Sequence, residues 1–138
     1  MIRRVKDAEE LEQALTEILT DYTQTVTDKC NEATEQLAKY GKEELRHRAE
    51  VSGIGGRKYK RSFRWQVLEK SPFGNVYLIS STNYRLTHLL EHGHRIYSHG
   101  KYTGKSTRAF RHWSDVEEEL DQKMTEAAVK AVNEANRG

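Results

Sequence analysis

The strongest structural signal in the chain lies in residues 7–50, DAEELEQALTEILTDYTQTVTDKCNEATEQLAKYGKEELRHRAE. Apolar or small residues recur there about every 3.7 positions, which keeps them on one face of a straight helix. These positions are Leu11, Leu15, Ile18, Tyr22, Val26, Cys30, Ala33 and Leu37. We therefore predict one amphipathic helix over residues 7–50, with this face buried and the others in water.

The length of this helix raises a question of its own. At 1.5 Å per residue it would be about 60 Å long, more than the diameter of a compact domain of this size. Two alternatives follow: Gly41 breaks the helix, or part of the helix projects to meet a partner.

The middle of the chain predicts a small antiparallel sheet. Alternating apolar residues within 57–70 and β-forming residues at 76–80 indicate two strands joined by a turn at 71–75. A loop at 52–56, with three glycines in five residues, separates these strands from the first helix.

The last third predicts helical and exposed segments. Leucine spacing within 84–94 indicates a short helix that Gly93 ends, and residues 95–105 read as an exposed loop rich in glycine, serine and lysine. Residues 106–113 predict a final strand. Ser114 and Glu117 have the spacing of a capping box that opens a helix over about 115–136.

Together these segments predict an α+β fold in one domain over residues 1–138: a long N-terminal amphipathic helix, a small antiparallel sheet with a short helix, and a C-terminal helix packed on the sheet. A length of 138 residues and a mean hydropathy of −0.90 suit one soluble domain. No apolar segment is long enough to cross a bilayer or to follow the basic N-terminus as a secretory signal, so we expect a cytoplasmic setting. Cys30 is the only cysteine, and its place on the helix stripe favours a small core residue over a nucleophile.

Charge is segregated along the chain. Residues 1–50 carry a balance of −4, residues 51–112 one of +10, and residues 113–138 one of −4. Such segregation is typical of a phosphate-binding face, and equally of subunits whose acidic surface docks on a neighbour's basic surface. We favour subunit docking, because the acidic partner surface is present in the same chain.

Two basic segments are candidate contacts with DNA or with another subunit. The first, a predicted basic strand at 57–64, interleaves its cations with Tyr59 and Phe63, as nucleic-acid-binding surfaces do. Its alternative is a solvated strand edge with Phe63 and Trp65 in the core. The cations of both segments are Arg57, Lys58, Lys60, Arg61, Arg64, Lys101, Lys105, Arg108 and Arg111.

The run His88-Leu-Leu-Glu91-His92 matches an inverted zinc-peptidase motif, in which two histidines one helical turn apart bind zinc and the glutamate activates water. A third ligand has no clear candidate downstream. The alternative is structural: the leucines bury the segment, and its polar residues bind backbone groups or face a neighbour.

The segment YRLTHLLEHGH, residues 84–94, followed by a loop rich in glycine and lysine, resembles the signature of the phage minor tail, or head–tail joining, protein family of tailed double-stranded-DNA phages. The preceding GGRKYKRSF, residues 55–63, is similar to that family's T/S-G-x-Y-x-x-S-W stretch. Before the last helix, this chain has Phe110-Arg-His112-Trp113-Ser114 and lacks the proline of the family's H-I/F-x-P-A stretch.

The resemblance implies a non-enzymatic subunit without cofactors. It would form a homo-oligomeric ring in the neck or at the top of the tail, around the DNA channel, and dock on other neck, connector or tail-tube proteins. It would be made in the host cytoplasm and end in the virion. We expect adhesive surfaces on the outer face of the first helix, on the loop at 95–108 and on the basic strand at 57–64, with the loop mobile in the free protein.

Within this resemblance we interpret the motif as a structural corner. Its residues are Leu86, Thr87, His88, Leu89, Leu90, Glu91, Gly93 and His94. The leucines would pack under the sheet, and the side chains of Thr87, His88 and Glu91 would satisfy polar backbone at the turn.

Overall fold

A computed structural model describes residues 7–137. The fold is α+β, as predicted, with a long N-terminal helix, two small antiparallel sheets and a C-terminal helix. The elements are α1 (Ala8–Ser52), α2 (Gly56–Lys60), β1 (Phe63–Glu69), β2 (Val76–Ser81), α3 (Tyr84–His92), β3 (Arg95–Ser98), β4 (Lys101–Ser106) and α4 (His112–Arg137).

Helix α1 runs unbroken through Gly41, so its 45 residues extend for about 67 Å. The Asp7 carboxylate caps its start by accepting a hydrogen bond from the Glu10 N–H at 2.8 Å. Gly53 ends it in the left-handed conformation, with φ 69°. Of the two alternatives for this helix, the break at Gly41 is therefore wrong, and the projection towards a partner stays a prediction.

Gly41 marks the point where α1, the β1–β2 sheet and α4 meet. A Cβ at this position would lie 2.7 Å from Ile79 Cδ1 and 2.9 Å from Leu120 Cδ1. The glycine therefore serves close packing inside the helix rather than a break in it, and the C-terminal helix packs where the sheet also meets α1.

The core lies at one end of α1. Its fully buried members are Leu45, Ala49, Tyr59, Phe63 and Val116, from α1, α2, β1 and α4. From this end, α4 runs antiparallel to α1, as the ion pairs Arg48–Asp115 at 3.7 Å and Lys29–Glu134 at 3.0 Å show. The α1–α4 pair therefore extends away from the core until α4 ends.

The two sheets are separate hairpins. Strands β1 and β2 pair antiparallel with Trp65 opposite Ile79, which confirms the predicted first hairpin. Strands β3 and β4 pair with Tyr97 opposite Tyr102, so the predicted loop at 95–105 is in fact a second hairpin, although it is exposed throughout. Its glycine and lysine content disguised the strands, since neither residue type favours them.

Two other predictions are wrong in their elements. Arg57, Lys58 and Lys60 lie on helix α2 rather than on a strand, because left-handed Gly55 and Gly56 turn the chain and one helical turn buries Tyr59. The predicted strand at 106–113 is not formed: Ser106 ends β4, residues 107–111 are an irregular connection, and α4 begins at His112.

Candidate interaction surfaces

Glu91 caps the N-terminus of α4 from helix α3. Its Oε1 accepts from the Ser114 N–H at 2.9 Å and the Ser114 hydroxyl at 2.6 Å, and its Oε2 accepts from the Trp113 N–H at 3.0 Å. Four N–H groups at a helix start lack partners inside the helix, and the dipole there favours an anion. The predicted Ser114–Glu117 capping box is therefore wrong, because Glu91 takes the capping role across the fold.

Burial opposes ionisation of Glu91, but hydrogen bonds from the Ser114 hydroxyl and the backbone N–H groups of Ser114 and Trp113 outweigh it. The result is a carboxyl pKa below its ordinary 4.5. His112 Nδ1 also lies 3.1 Å from Oε2. Glu91 is only 7% exposed, so the anion is held inside the protein.

A buried hydrogen-bond network continues from this cap. His112 Nδ1 donates to the Phe110 carbonyl oxygen at 2.7 Å, and His112 Nε2 is hydrogen-bonded to the Tyr59 hydroxyl. The Tyr59 oxygen in turn accepts from the Thr87 hydroxyl at 3.2 Å and Trp113 Nε1 at 3.4 Å. Burial raises the pKa of Tyr59, so the hydroxyl keeps the proton that this network requires.

The remaining motif residues differ in their surroundings. Leu86 and Leu90 pack against the core, whereas Leu89 is 40% exposed, so the expectation that it packs under the sheet is wrong. The His88 side chain is exposed and contacts the His92 ring, with 4.8 Å between the ring centroids. The motif lies on α3, a helix of nine residues that packs on one side, so the side chains on its other side are exposed to solvent.

Gly93 and His94 fix the start of the β3–β4 hairpin. Gly93 has φ 73°, and a Cβ there would lie 2.7 Å from the Thr107 carbonyl oxygen. The His94 carbonyl accepts from the Thr107 N–H at 2.7 Å. The hairpin is therefore held at its base, beside the start of α4.

The zinc-peptidase alternative finds little support in this geometry. Both carboxylate oxygens of Glu91 are occupied by the cap on α4, so Glu91 does not face an open site as a general base would. Within residues 7–137, no three side chains of His, Cys, Asp or Glu are arranged to hold a metal ion.

The candidate cations lie at the core end of the molecule, in two groups. In the first group, Arg57, Lys58 and Lys60 lie on α2, Arg61 follows it, and Arg64 lies on β1. Lys101 and Lys105 are on β4, and Arg108 and Arg111 follow it.

Few of these cations have internal partners. Lys60 pairs with Glu50 at 3.5 Å, and Arg64 donates to the carbonyls of Arg61 and Phe63. Among residues 7–137, the other candidate cations have no carboxylate within ion-pair distance, so they remain available to a partner.

The opposite end of the molecule is formed by residues 8–25 of α1, which we call the α1 arm. All its larger apolar side chains are exposed: Leu11, Leu15, Ile18, Leu19 and Tyr22. The long-range hydrogen bonds and ion pairs of α1 within residues 7–137 begin only at Lys29, near the end of α4. The predicted buried face of α1 is therefore only partly confirmed: it is exposed along the arm except near Ala14, which is 4% exposed, and half-buried at Val26, Cys30, Ala33 and Leu37.

Sequence reasoning missed two features that join the elements. Arg48 binds three carboxylates, Glu44 at 3.0 Å, Glu119 at 3.3 Å and Asp115 at 3.7 Å, and so fastens α4 to α1. Tyr59 looked like a surface ring among cations but is fully buried. No local pattern marks either role, because both depend on contacts far apart in the chain.

Comparison with known proteins adds no identification. No protein-family model matches the chain, and neither a curated protein nor a solved structure matches it. Among residues 7–137, no helix has the length and apolarity that a membrane span requires. The resemblance of residues 84–94 to the phage minor tail family therefore remains an expectation from sequence.

Proposed function

We propose that this protein is a structural virion protein of a tailed phage or prophage. It acts as a head–tail joining or tail-completion subunit that self-assembles into a ring around the DNA channel. It works by self-association and by docking on other neck, connector or tail-tube proteins, not by catalysis.

The observation that carries this proposal is the α1 arm. A helix about 27 Å long leaves five large apolar side chains in water on one side. Contiguous exposed apolar surfaces of this kind mark interaction sites. The resemblance of residues 84–94 directs the choice of function, and the segregation of charge between the two ends agrees with contacts between copies.

Native mass spectrometry over a concentration series, with negative-stain electron microscopy of the same samples, tests this proposal. We expect closed oligomers of one size that grow with concentration. A protein that stays monomeric, and that forms no ring on the linear DNA or neck proteins supplied to it, would overturn the proposal.

A second candidate is a small nucleic-acid-binding module, favoured by the unpaired cations of α2 and of the β3–β4 hairpin. It predicts binding to duplex DNA that weakens steeply as salt rises, because each neutralised phosphate releases counterions. A titration with labelled duplex at low and high salt separates the two: affinity independent of salt, or absent at low salt, removes this candidate.

A further inference from the structure

We propose that the α1 arm of one subunit docks on the β3–β4 hairpin of a second copy, a head-to-tail contact. This inference rests on the proposed self-assembly and names the two surfaces that carry it. Both surfaces are exposed, and they lie at opposite ends of the molecule.

The arm presents an apolar stripe with an acidic border. At 100° per residue, Leu11, Leu15, Ile18 and Tyr22 share one face of the helix, with Asp21 at its edge. Residues 8–25 contain five carboxylates and no Lys, Arg or His. The charge balance of residues 1–25 is −3.

The hairpin presents rings and positive charge. Tyr97 and Tyr102 lie opposite each other with ring centroids 5.8 Å apart, and the Arg95 guanidinium lies 5.4 Å from the Tyr102 centroid. These three side chains therefore share one face, while Lys101 and Lys105 alternate to the other. Residues 95–106 contain no carboxylate.

The two surfaces complement each other. Tyrosine rings can cover the leucines of the arm while their hydroxyl groups donate to carboxylates at its border. In the docked pair Arg95, on the same face as the tyrosines, would lie within a Debye length of those carboxylates, so the charges attract. An arm-to-arm pair would instead bring carboxylates of both copies together, and their repulsion disfavours a second arm as the partner.

The hairpin of a subunit cannot reach the arm of the same subunit. The hairpin starts beside the first turn of α4, which Arg48 holds, and the arm ends at residue 25, about 35 Å further along α1. The hairpin itself reaches only about 20 Å. The contact must therefore join two copies, and each copy added leaves one arm and one hairpin free, which produces a ring or a filament.

Complementation between two variants tests this contact. The arm variant is Leu15→Gln/Ile18→Gln, and the hairpin variant is Tyr97→Thr/Tyr102→Thr. All four residues are exposed, so both variants should keep the wild-type circular dichroism and melting temperature. Lys101→Thr/Lys105→Thr, on the opposite hairpin face, is the matched control.

Analytical ultracentrifugation gives the readout. Each variant alone should self-associate at least about tenfold more weakly than wild type. An equimolar mixture should form a heterodimer and stop there, because it joins one intact arm to one intact hairpin. The control should associate within about threefold of wild type.

Other outcomes overturn the inference in distinguishable ways. If the hairpin variant alone dimerises, the arms pair with each other. If wild type forms oligomers but the mixture stays monomeric, another surface builds the assembly, and the proposed function survives without this contact. If wild type is monomeric up to about 1 mM and the lysine control loses binding to a duplex DNA probe, the hairpin is a nucleic-acid surface.

Discussion

Replacing Glu91 with glutamine removes a charge and one acceptor from the cap of α4 while keeping the side-chain shape. If the amide oxygen takes the Oε1 position and keeps the two bonds from Ser114, the amide NH2 faces the Trp113 N–H. Two donors then oppose each other in a buried site, and the helix dipole loses its anion. An unsatisfied buried donor and the lost dipole interaction together cost about 2–4 kcal/mol.

This loss has a defined pH dependence. The pKa of Glu91 is lower in the folded protein than its ordinary 4.5, so the carboxylate stabilises the fold above that value. This stability is lost as pH falls from 4.5 through the lower folded pKa, because the unfolded state takes up the proton first, and the loss is complete once the folded state is protonated as well. The difference between wild type and Glu91→Gln should therefore be constant from pH 7 to about 5 and shrink below that range.

Urea unfolding followed by far-UV circular dichroism, repeated from pH 7 to below pH 5, measures the loss in the free energy of unfolding and its dependence on pH. At pH 7 we expect the Glu91→Gln midpoint temperature to fall by about 8–15 °C in a parallel thermal melt. His88→Gln is the control: its side chain is exposed on the same helix, so it should change stability by less than about 0.5 kcal/mol. A Glu91→Gln protein as stable as this control would refute the capping role.

Three further results follow from the structure. Tyr59→Phe should lower the free energy of unfolding by about 1–3 kcal/mol, because the Trp113 and Thr87 donors lose a buried acceptor; chemical denaturation measures it. Gly41→Val should cost about 1–3 kcal/mol by overpacking against Ile79, and a melt as stable as wild type would contradict this. In the monomer, amides of the β3–β4 hairpin should exchange within seconds to minutes, since an isolated two-stranded hairpin is marginal; strong protection by hydrogen exchange would show that prediction wrong.

Sequence periodicity predicted α1, α3 and α4 well, although not the five-residue α2, because the signal of the longer helices is local. The stripe on α1, the leucine spacing of α3 and the apolar face of α4 each repeat within a few residues. The same signal failed at the second hairpin, where glycine, serine and lysine hid the strands and only the pairing of Tyr97 with Tyr102 defines them. Strand pairing depends on a partner segment, which the propensity of one segment does not report.

The candidate site was predicted in part. The motif at 84–94 drew attention to Glu91, and Glu91 does bind backbone groups, but at the start of α4 rather than at its own turn. Ser114 and Glu117 had the spacing of a local cap, yet a buried carboxylate from another helix outcompeted it. Local spacing cannot reveal a cap that comes from 22 residues upstream.

Periodicity also cannot say what covers an apolar face, and α1 shows why. Its stripe keeps the same spacing in the arm, where Leu11, Leu15, Ile18 and Tyr22 are exposed, and beyond it, where Val26, Cys30, Ala33 and Leu37 are half-buried. An isolated helix of 18 residues is only marginally stable in water, so the helical structure of the arm depends on the packed part of α1. Because the arm is already helical before docking, few of its backbone angles become newly ordered. More become ordered in the hairpin, which is only marginally stable by itself. On assembly, hydrogen-exchange protection should therefore rise more in the hairpin than in the arm, although both lie in the same contact.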